Sequence, residues 1–135
     1  FIDIAEWLVE QGYTRPAKIV ANGASNGGLL MAAISTLRPD LFGTVIASVP
    51  HTDMIRFRND DRGMMYVTEY GDPLENEETL KYMLSYSPYH NIKPGTLYRV
   101  CWFRRAKTTT MCRRIMARSS RFACSMTPMS VIRCC

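Results

Sequence analysis

The chain has 135 residues, of which 47% are hydrophobic and 21% are charged, and its formal net charge is +5. This length suits one small domain, and the hydrophobic share is ordinary for a globular protein. The sequence contains neither an apolar run of the roughly 20 residues that cross a bilayer nor an N-terminal secretory signal. Because the first residue is Phe1 and not methionine, we expect the natural N-terminus to lie upstream.

Charge is divided unevenly along the chain. Residues 1–98 contain all 12 acidic residues and 8 of the 17 basic ones, whereas residues 99–135 contain 9 basic residues and no acidic one. All 8 glycines precede residue 96, and all 5 cysteines follow residue 100. So abrupt a change indicates two segments of different origin, or a basic tail attached to an ordinary domain.

Hydrophobic periodicity and turn residues predict four elements in the first half of the chain. We expect a helix over residues 1–11, a short strand within 18–22, a helix over 26–37 and a strand over 44–49. The second helix is apolar on nearly every side, which is typical of a buried helix. The second strand is apolar without alternation, as in a sheet that is covered on both faces.

The alternation of helices and strands with short loops is the α/β pattern, which places parallel strands in one sheet. In the first helix we expect Phe1, Ile4, Ala5 and Leu8 to form the buried face, with Ile2 and Val9 beside it. Residues 75–85 favour a further helix. Two strands cannot complete such a sheet, so the predicted fold class is a partial α/β domain with an irregular C-terminal tail.

The turn between the first strand and the second helix carries a Gly-x-Ser-x-Gly pattern at Gly23, Ser25 and Gly27, and Gly28 follows. In a nucleophile elbow, a serine at such a turn lifts its hydroxyl above the sheet. We expect glycines 23 and 27 to prevent steric clashes, with Gly28 extending the close packing, and the Asn26 backbone N–H to stabilise an oxyanion. The alternative is a glycine-rich turn whose serine is incidental. Glycine patterns for dinucleotides and for phosphate loops are absent from the sequence.

Four sequence blocks resemble the prolyl oligopeptidase family of serine peptidases. They are residues 22–30, 38–42, 69–73 and 86–92, which read NGASNGGLL, RPDLF, EYGDP and YSPYHNI. The resemblance covers residues 1–98. It implies that the chain is a fragment of an α/β-hydrolase catalytic domain, and that the full-length relatives carry a β-propeller domain upstream.

The resemblance also implies a chemistry and a set of partners. Family members hydrolyse short peptides, typically after proline, through a Ser-Asp-His triad in that chain order, and they use no metal or organic cofactor. Short peptides would be the partners, with no nucleic acid and no membrane, and we expect a cytoplasmic location with the periplasm as the alternative. Another α/β hydrolase, such as an esterase or an acylaminoacyl peptidase, is the alternative activity.

Three positions beside the nucleophile define the pocket that the resemblance implies. Ser25 matches the nucleophile itself. Asn26 matches the residue whose backbone N–H lines the oxyanion hole and whose side chain borders the proline pocket, and Tyr70 matches a pocket tyrosine. Tyr66 stands where proline-specific members have a tryptophan, and a tyrosine stacks on proline with less area. A preference for basic residues is therefore the alternative specificity.

Neither histidine of the chain is expected to be the triad base. His51 closely follows the second strand and His90 lies in a Ser-Pro loop, whereas the family's catalytic histidine comes much later in the chain. We expect both to be surface or locally hydrogen-bonded residues, and we expect Asp53 and Asp72 to be turn or structural acids. The chain then lacks the triad aspartate and histidine, and should be inactive or nearly so by itself.

Residues 99–135 do not continue the resemblance, and we hypothesise that they come from a shifted reading frame. When the third base of each codon is read with the first two of the next, residues 101–103 become Leu-Val, and an aspartate is permitted across Thr108 and Thr109. This reading resembles the family's next strand and its aspartate loop. The alternative is a genuine basic tail that binds nucleic acid or a membrane. The cysteines include no Cys-x-x-Cys pair and are interpreted as incidental.

Overall fold

The computed structural model describes residues 1–59 and 63–98, together with the backbone of residues 101–104. This part of the chain contains four α-helices, namely α1 (Ile2–Glu10), α2 (Asn26–Leu37), α3 (Val67–Tyr70) and α4 (Glu77–Tyr86). Short 3-10 turns lie at Pro16–Lys18, Phe57–Asn59 and Gly63–Tyr66. The helices predicted over 1–11, 26–37 and 75–85 are confirmed to within two residues. The short helix α3 was not predicted, because four residues are too few to show a helical period.

Three parallel strands form one sheet in the order β1-β2-β3, with β1 at Val20–Ala24, β2 at Thr44–Ser48 and β3 at Cys101–Arg104. Ala24 lies opposite Ser48, and Ser48 lies opposite Arg104, so the three strands end at the same edge of the sheet. The predicted partial α/β architecture is confirmed. Helix α2 follows directly after β1, so this edge also receives the N-terminus of α2.

The third strand lies inside the segment that we expected to be an irregular tail. Residues 101–104 pair in parallel with β2, at the position where the resemblance requires the next strand of the sheet. The sheet therefore continues past residue 98, and the division of the chain at that residue stays a prediction. The hypothesis of a shifted reading frame, with its aspartate across Thr108 and Thr109, concerns residues outside the described part of the chain.

Two clusters of buried side chains lie on opposite sides of α2. The first joins α1, α2 and the sheet through Ala5, Ala21, Met31, Ile34, Leu41, Phe42, Val45 and Ala47. The second joins α2 to the segments after β2 through Leu29, Met54, Phe57 and Met83. Because α2 contributes to both clusters, the prediction of a buried helix is confirmed for most of its sides, whereas Leu30 and Leu37 are each 42% exposed.

The buried face of α1 differs from the predicted one. Ala5 is buried, and Ile2 and Val9 pack against the first cluster, whereas Phe1 and Ile4 are 55% and 65% exposed. The prediction is therefore confirmed at Ala5 and wrong at Phe1 and Ile4, and Leu8 is half-buried. Ile2 and Val9, expected beside the buried face, do pack against the core. This helix carries apolar residues around most of its circumference, so its period alone could not select the side that meets the sheet. Within the described residues, no helix has the length and apolar character that a membrane span requires.

Candidate active site

Ser25 occupies a sharp bend between the last residue of β1 and the first residue of α2. Its backbone has φ 55° and ψ −116°, a conformation that residues other than glycine rarely adopt. The Ser25 N–H donates to the Ser48 carbonyl at 2.9 Å, and the Ser25 carbonyl accepts from the Leu29 N–H at 3.0 Å. Ser25 is exposed at the edge where the strands end. This is the geometry of a nucleophile elbow.

Two glycines permit the close packing of this bend. A Cβ at residue 23 would lie 2.4 Å from the Gly27 carbonyl oxygen, and a Cβ at residue 28 would lie 2.5 Å from the Ser48 carbonyl oxygen. At Gly27, by contrast, a Cβ would meet no described atom within 4 Å. The steric role predicted for Gly27 was therefore wrong. The helix turns this position outward, so the contact with β2 falls on Gly28 instead.

The strain at Ser25 leads to a prediction about stability. Among the described residues other than glycine, positive φ occurs at Ser25 and at Val49, which follows β2. We expect Ser25→Gly to raise the free energy of unfolding by about 1 kcal/mol, because relief of the backbone strain outweighs the extra entropy of glycine in the unfolded chain. Ser25→Ala keeps the Cβ, so it is the control and should leave stability nearly unchanged. Urea denaturation of both variants measures the difference, and equal stabilities would show that the bend is not strained.

Asn26 begins α2 and lies between the elbow and the segment around α3. As the first residue of a helix, its backbone N–H has no partner within the helix and remains available as a donor. Its side-chain Nδ2 donates to Glu69 Oε1 at 3.3 Å, although the two residues are 43 positions apart. Glu69 belongs to the EYGDP block, but nothing in the sequence indicated that it contacts Asn26.

Tyr66 directly precedes α3, and Tyr70 is the last residue of that helix. Their ring centroids are 6.1 Å apart, and the Tyr70 ring packs edge-on against buried Phe57 at 5.8 Å. Tyr66 in turn packs edge-on against His51 at 5.3 Å. Burial, with a smaller contribution from the charge of Glu69, raises the pKa of Tyr70. Its phenol is therefore neutral near pH 7 and can donate a hydrogen bond.

A groove of about 520 Å³ opens on the side of α2 that faces α1 and α4. Asn26 and Tyr70 both line this groove, and the rest of its wall is mostly apolar or aromatic, including Leu30, Tyr82 and Tyr86. The structure therefore brings Asn26 and Tyr70 together, as the resemblance implies. Neither Ser25 nor Tyr66 is part of the groove wall.

A second serine, Ser87, contacts a histidine and must be distinguished from Ser25. Ser87 Oγ lies 2.8 Å from His90 Nδ1 and also accepts from the Met54 N–H at 3.1 Å. Ser87 is completely buried, with 0% exposure, so no substrate can reach its hydroxyl. His90 is thus locally hydrogen-bonded, as predicted, and the bond from the Met54 N–H to Ser87 Oγ joins this loop to the segment after β2.

The two aspartates that were predicted to be structural have structural partners. Asp53 is buried and forms an ion pair with Arg56, and its Oδ1 accepts the backbone N–H groups of the next turn. Both carboxylate oxygens of Asp72 accept from Arg58, at 2.9 and 2.7 Å. Both predictions are confirmed. These carboxylates are already committed to arginines, so they are unsuited to orient a catalytic histidine.

Comparison with known proteins gives a consistent result. The model of the prolyl oligopeptidase family matches residues 1–103. The chain is 40% identical over 98 residues to a prolyl endopeptidase of Elizabethkingia meningoseptica, covering 73% of this chain and 14% of that protein. It is 44% identical over 92 residues to a prolyl endopeptidase of Dictyostelium discoideum, covering 68% of this chain and 12% of that protein.

Solved structures agree with these sequence relatives. A post-proline cleaving enzyme from Rickettsia typhi superposes with a TM-score of 0.68 at 40% identity, over 73% of this chain and 14% of that one. The chain therefore spans about one seventh of the length of the relatives that it matches. The family match includes the elbow, the two tyrosines 66 and 70, strands β1 and β2, and β3 as far as residue 103. This chain belongs to the prolyl oligopeptidase family.

Proposed function

We propose that Ser25 is the nucleophile of a serine peptidase that hydrolyses short peptides after proline. The observation that carries this proposal is the exposed serine at φ 55° between β1 and α2, in a chain of the prolyl oligopeptidase family. Relatives that bear the name prolyl endopeptidase support the substrate class. A β-propeller domain in the full-length protein and a cytoplasmic location are further parts of the proposal.

In the proposed reaction, Ser25 Oγ attacks the carbonyl carbon of the scissile peptide bond while a histidine takes the hydroxyl proton. The oxygen of the tetrahedral intermediate becomes negative and accepts a hydrogen bond from the Asn26 N–H. The intermediate collapses, the peptide C–N bond breaks, and the departing amine takes the proton from the histidine. Water then hydrolyses the Ser25 ester by the same steps and restores the serine.

The residues of the proposed pocket suit a proline ring. Tyr66 and Tyr70 offer two aromatic faces near the N-terminus of α2, and the flat ring of proline packs well against such faces. We expect the base and the acid of the triad to come from outside the described residues. Asp53 and Asp72 pair with arginines, His90 pairs with Ser87, and the His51 ring packs against Tyr66. The 135-residue chain by itself should therefore be inactive or nearly so.

A chimeric enzyme tests the proposal. Residues 1–98 replace the matching segment of the Elizabethkingia meningoseptica enzyme, which supplies the rest of the protein. We expect the chimera to hydrolyse a peptide anilide with proline before the scissile bond at least about tenfold faster than alanine or arginine analogues. Proline fills an aromatic slot, whereas alanine leaves part of it empty and arginine would bury a charge there. The unmodified enzyme is the control for folding and assay. A folded chimera that cleaves only esters, or that prefers arginine, would contradict the proposal.

A further inference from the structure

A side-chain hydrogen bond links the nucleophile elbow to α3, the short helix that begins after Tyr66 and ends at Tyr70. Asn26 Nδ2 donates to Glu69 Oε1 at 3.3 Å, and both side chains are exposed. Asn26 is the first residue of α2, and Glu69 directly precedes Tyr70 in α3. The bond therefore joins the two sides of the proposed pocket.

The chemistry of this bond determines how the Asn26 amide is oriented. An ionised carboxylate only accepts hydrogen bonds, so the NH₂ end of the amide must face Glu69. The carbonyl end, Oδ1, is then directed away from Glu69 and remains available as an acceptor. Without the carboxylate, the two ends of an exposed amide would exchange places at little cost.

The backbone around Glu69 is held in place by contacts of the neighbouring residues. On one side of Glu69, Tyr70 packs against buried Phe57, and on the other, Tyr66 packs against His51. Asp72, two residues beyond Tyr70, is held by Arg58 at 2.7 Å. These contacts fix the backbone of α3, so the exposed Glu69 side chain reaches Asn26 from a fixed point. No ion pair of Glu69 is present among the described residues, and its charge is therefore available to the amide.

We propose that Glu69 is a positioning residue, which orients the Asn26 side chain so that Oδ1 faces the peptide substrate. The catalytic meaning of this role rests on the proposed function, but the orientation of the amide does not. A second reading would assign Glu69 only a charge interaction with the N-terminus of α2, because negative charge stabilises that end of a helix. A neutral acceptor at residue 69 would preserve the hydrogen bond to the Asn26 amide, but it would not preserve a charge interaction with the helix.

NMR spectroscopy of the ¹⁵N-labelled 135-residue chain separates these roles. The readout is the exchange of the two Asn26 Nδ2 protons with water, in the wild type and in the variants Glu69→Gln and Glu69→Ala. Loss of the acceptor in Glu69→Ala should accelerate exchange of the bonded proton by about threefold or more. Glu69→Gln keeps an acceptor oxygen without the charge, so it should restore the rate to within about twofold of the wild type. Glu75→Ala, which removes an exposed carboxylate of the same type, is the matched control and should have no effect.

Two outcomes would overturn the assignment. Unchanged exchange in Glu69→Ala would show that Glu69 does not hold the amide, and equal acceleration in both Glu69 variants would leave only the charge interaction. Because no step of this experiment requires turnover, its failure leaves Ser25 as the proposed nucleophile. Conversely, an inactive chimera would refute the proposed function while the exchange rates still decide the role of Glu69.

Discussion

Replacing Gly28 with alanine should destabilise the protein by about 2 kcal/mol. The new Cβ would lie 2.5 Å from the Ser48 carbonyl oxygen and 3.2 Å from the Pro50 Cα, and both of these are backbone atoms that cannot rotate away. Helix α2 must then move away from β2. The same Ser48 carbonyl accepts the Ser25 N–H, so this movement would also loosen the elbow. Urea denaturation of the 135-residue chain measures the loss.

Gly27→Ala is the matched control for this prediction. It makes the same chemical change one residue earlier in the same helical turn, where a Cβ meets no described atom within 4 Å. Alanine is a better helix former than glycine, so this variant should gain up to about 1 kcal/mol. The free energy of unfolding is therefore expected to fall in Gly28→Ala and to rise in Gly27→Ala. An equal loss in both would mean that the approach of α2 to β2 does not explain Gly28.

Ser25→Ala in the chimera should reduce kcat/KM on the order of 10⁶-fold, because removal of a nucleophile eliminates the covalent route. Initial rates with the proline anilide measure the loss, and covalent labelling by a fluorophosphonate gives an independent readout. The alanine variant should take up no label. The protein should remain folded, since alanine keeps the Cβ at this position and removes only an exposed hydroxyl.

Ser87→Ala is the control for this second prediction. It removes the other serine that contacts a histidine, and it leaves the Met54 N–H and His90 Nδ1 without their shared partner. We expect a stability loss of about 1 kcal/mol from those unpaired groups, with the labelling of Ser25 preserved. If the label persists in Ser25→Ala and disappears in Ser87→Ala, the nucleophile is Ser87 and the proposal is wrong.

Some features of this chain follow from the sequence because the residues that produce them are close together along it. The periods of α1, α2 and α4 extend over about ten residues each, and the pattern of Gly23, Ser25 and Gly27 occupies one turn between a strand and a helix. Local sterics and local hydrophobic spacing are sufficient to predict such elements. The elbow, the partial α/β fold and the family were therefore predictable from the order of the residues alone.

Other features depend on which distant segments meet, and these only the tertiary structure decided. Three features involve partners that are far away in the chain. They are the buried side of α1, the clash at Gly28 rather than Gly27, and the bond from Asn26 to Glu69. Strand β3 likewise forms because its backbone pairs with β2, in a segment whose composition suggested an irregular tail. Packing and backbone pairing are set by three-dimensional proximity, and a one-dimensional pattern does not contain that information.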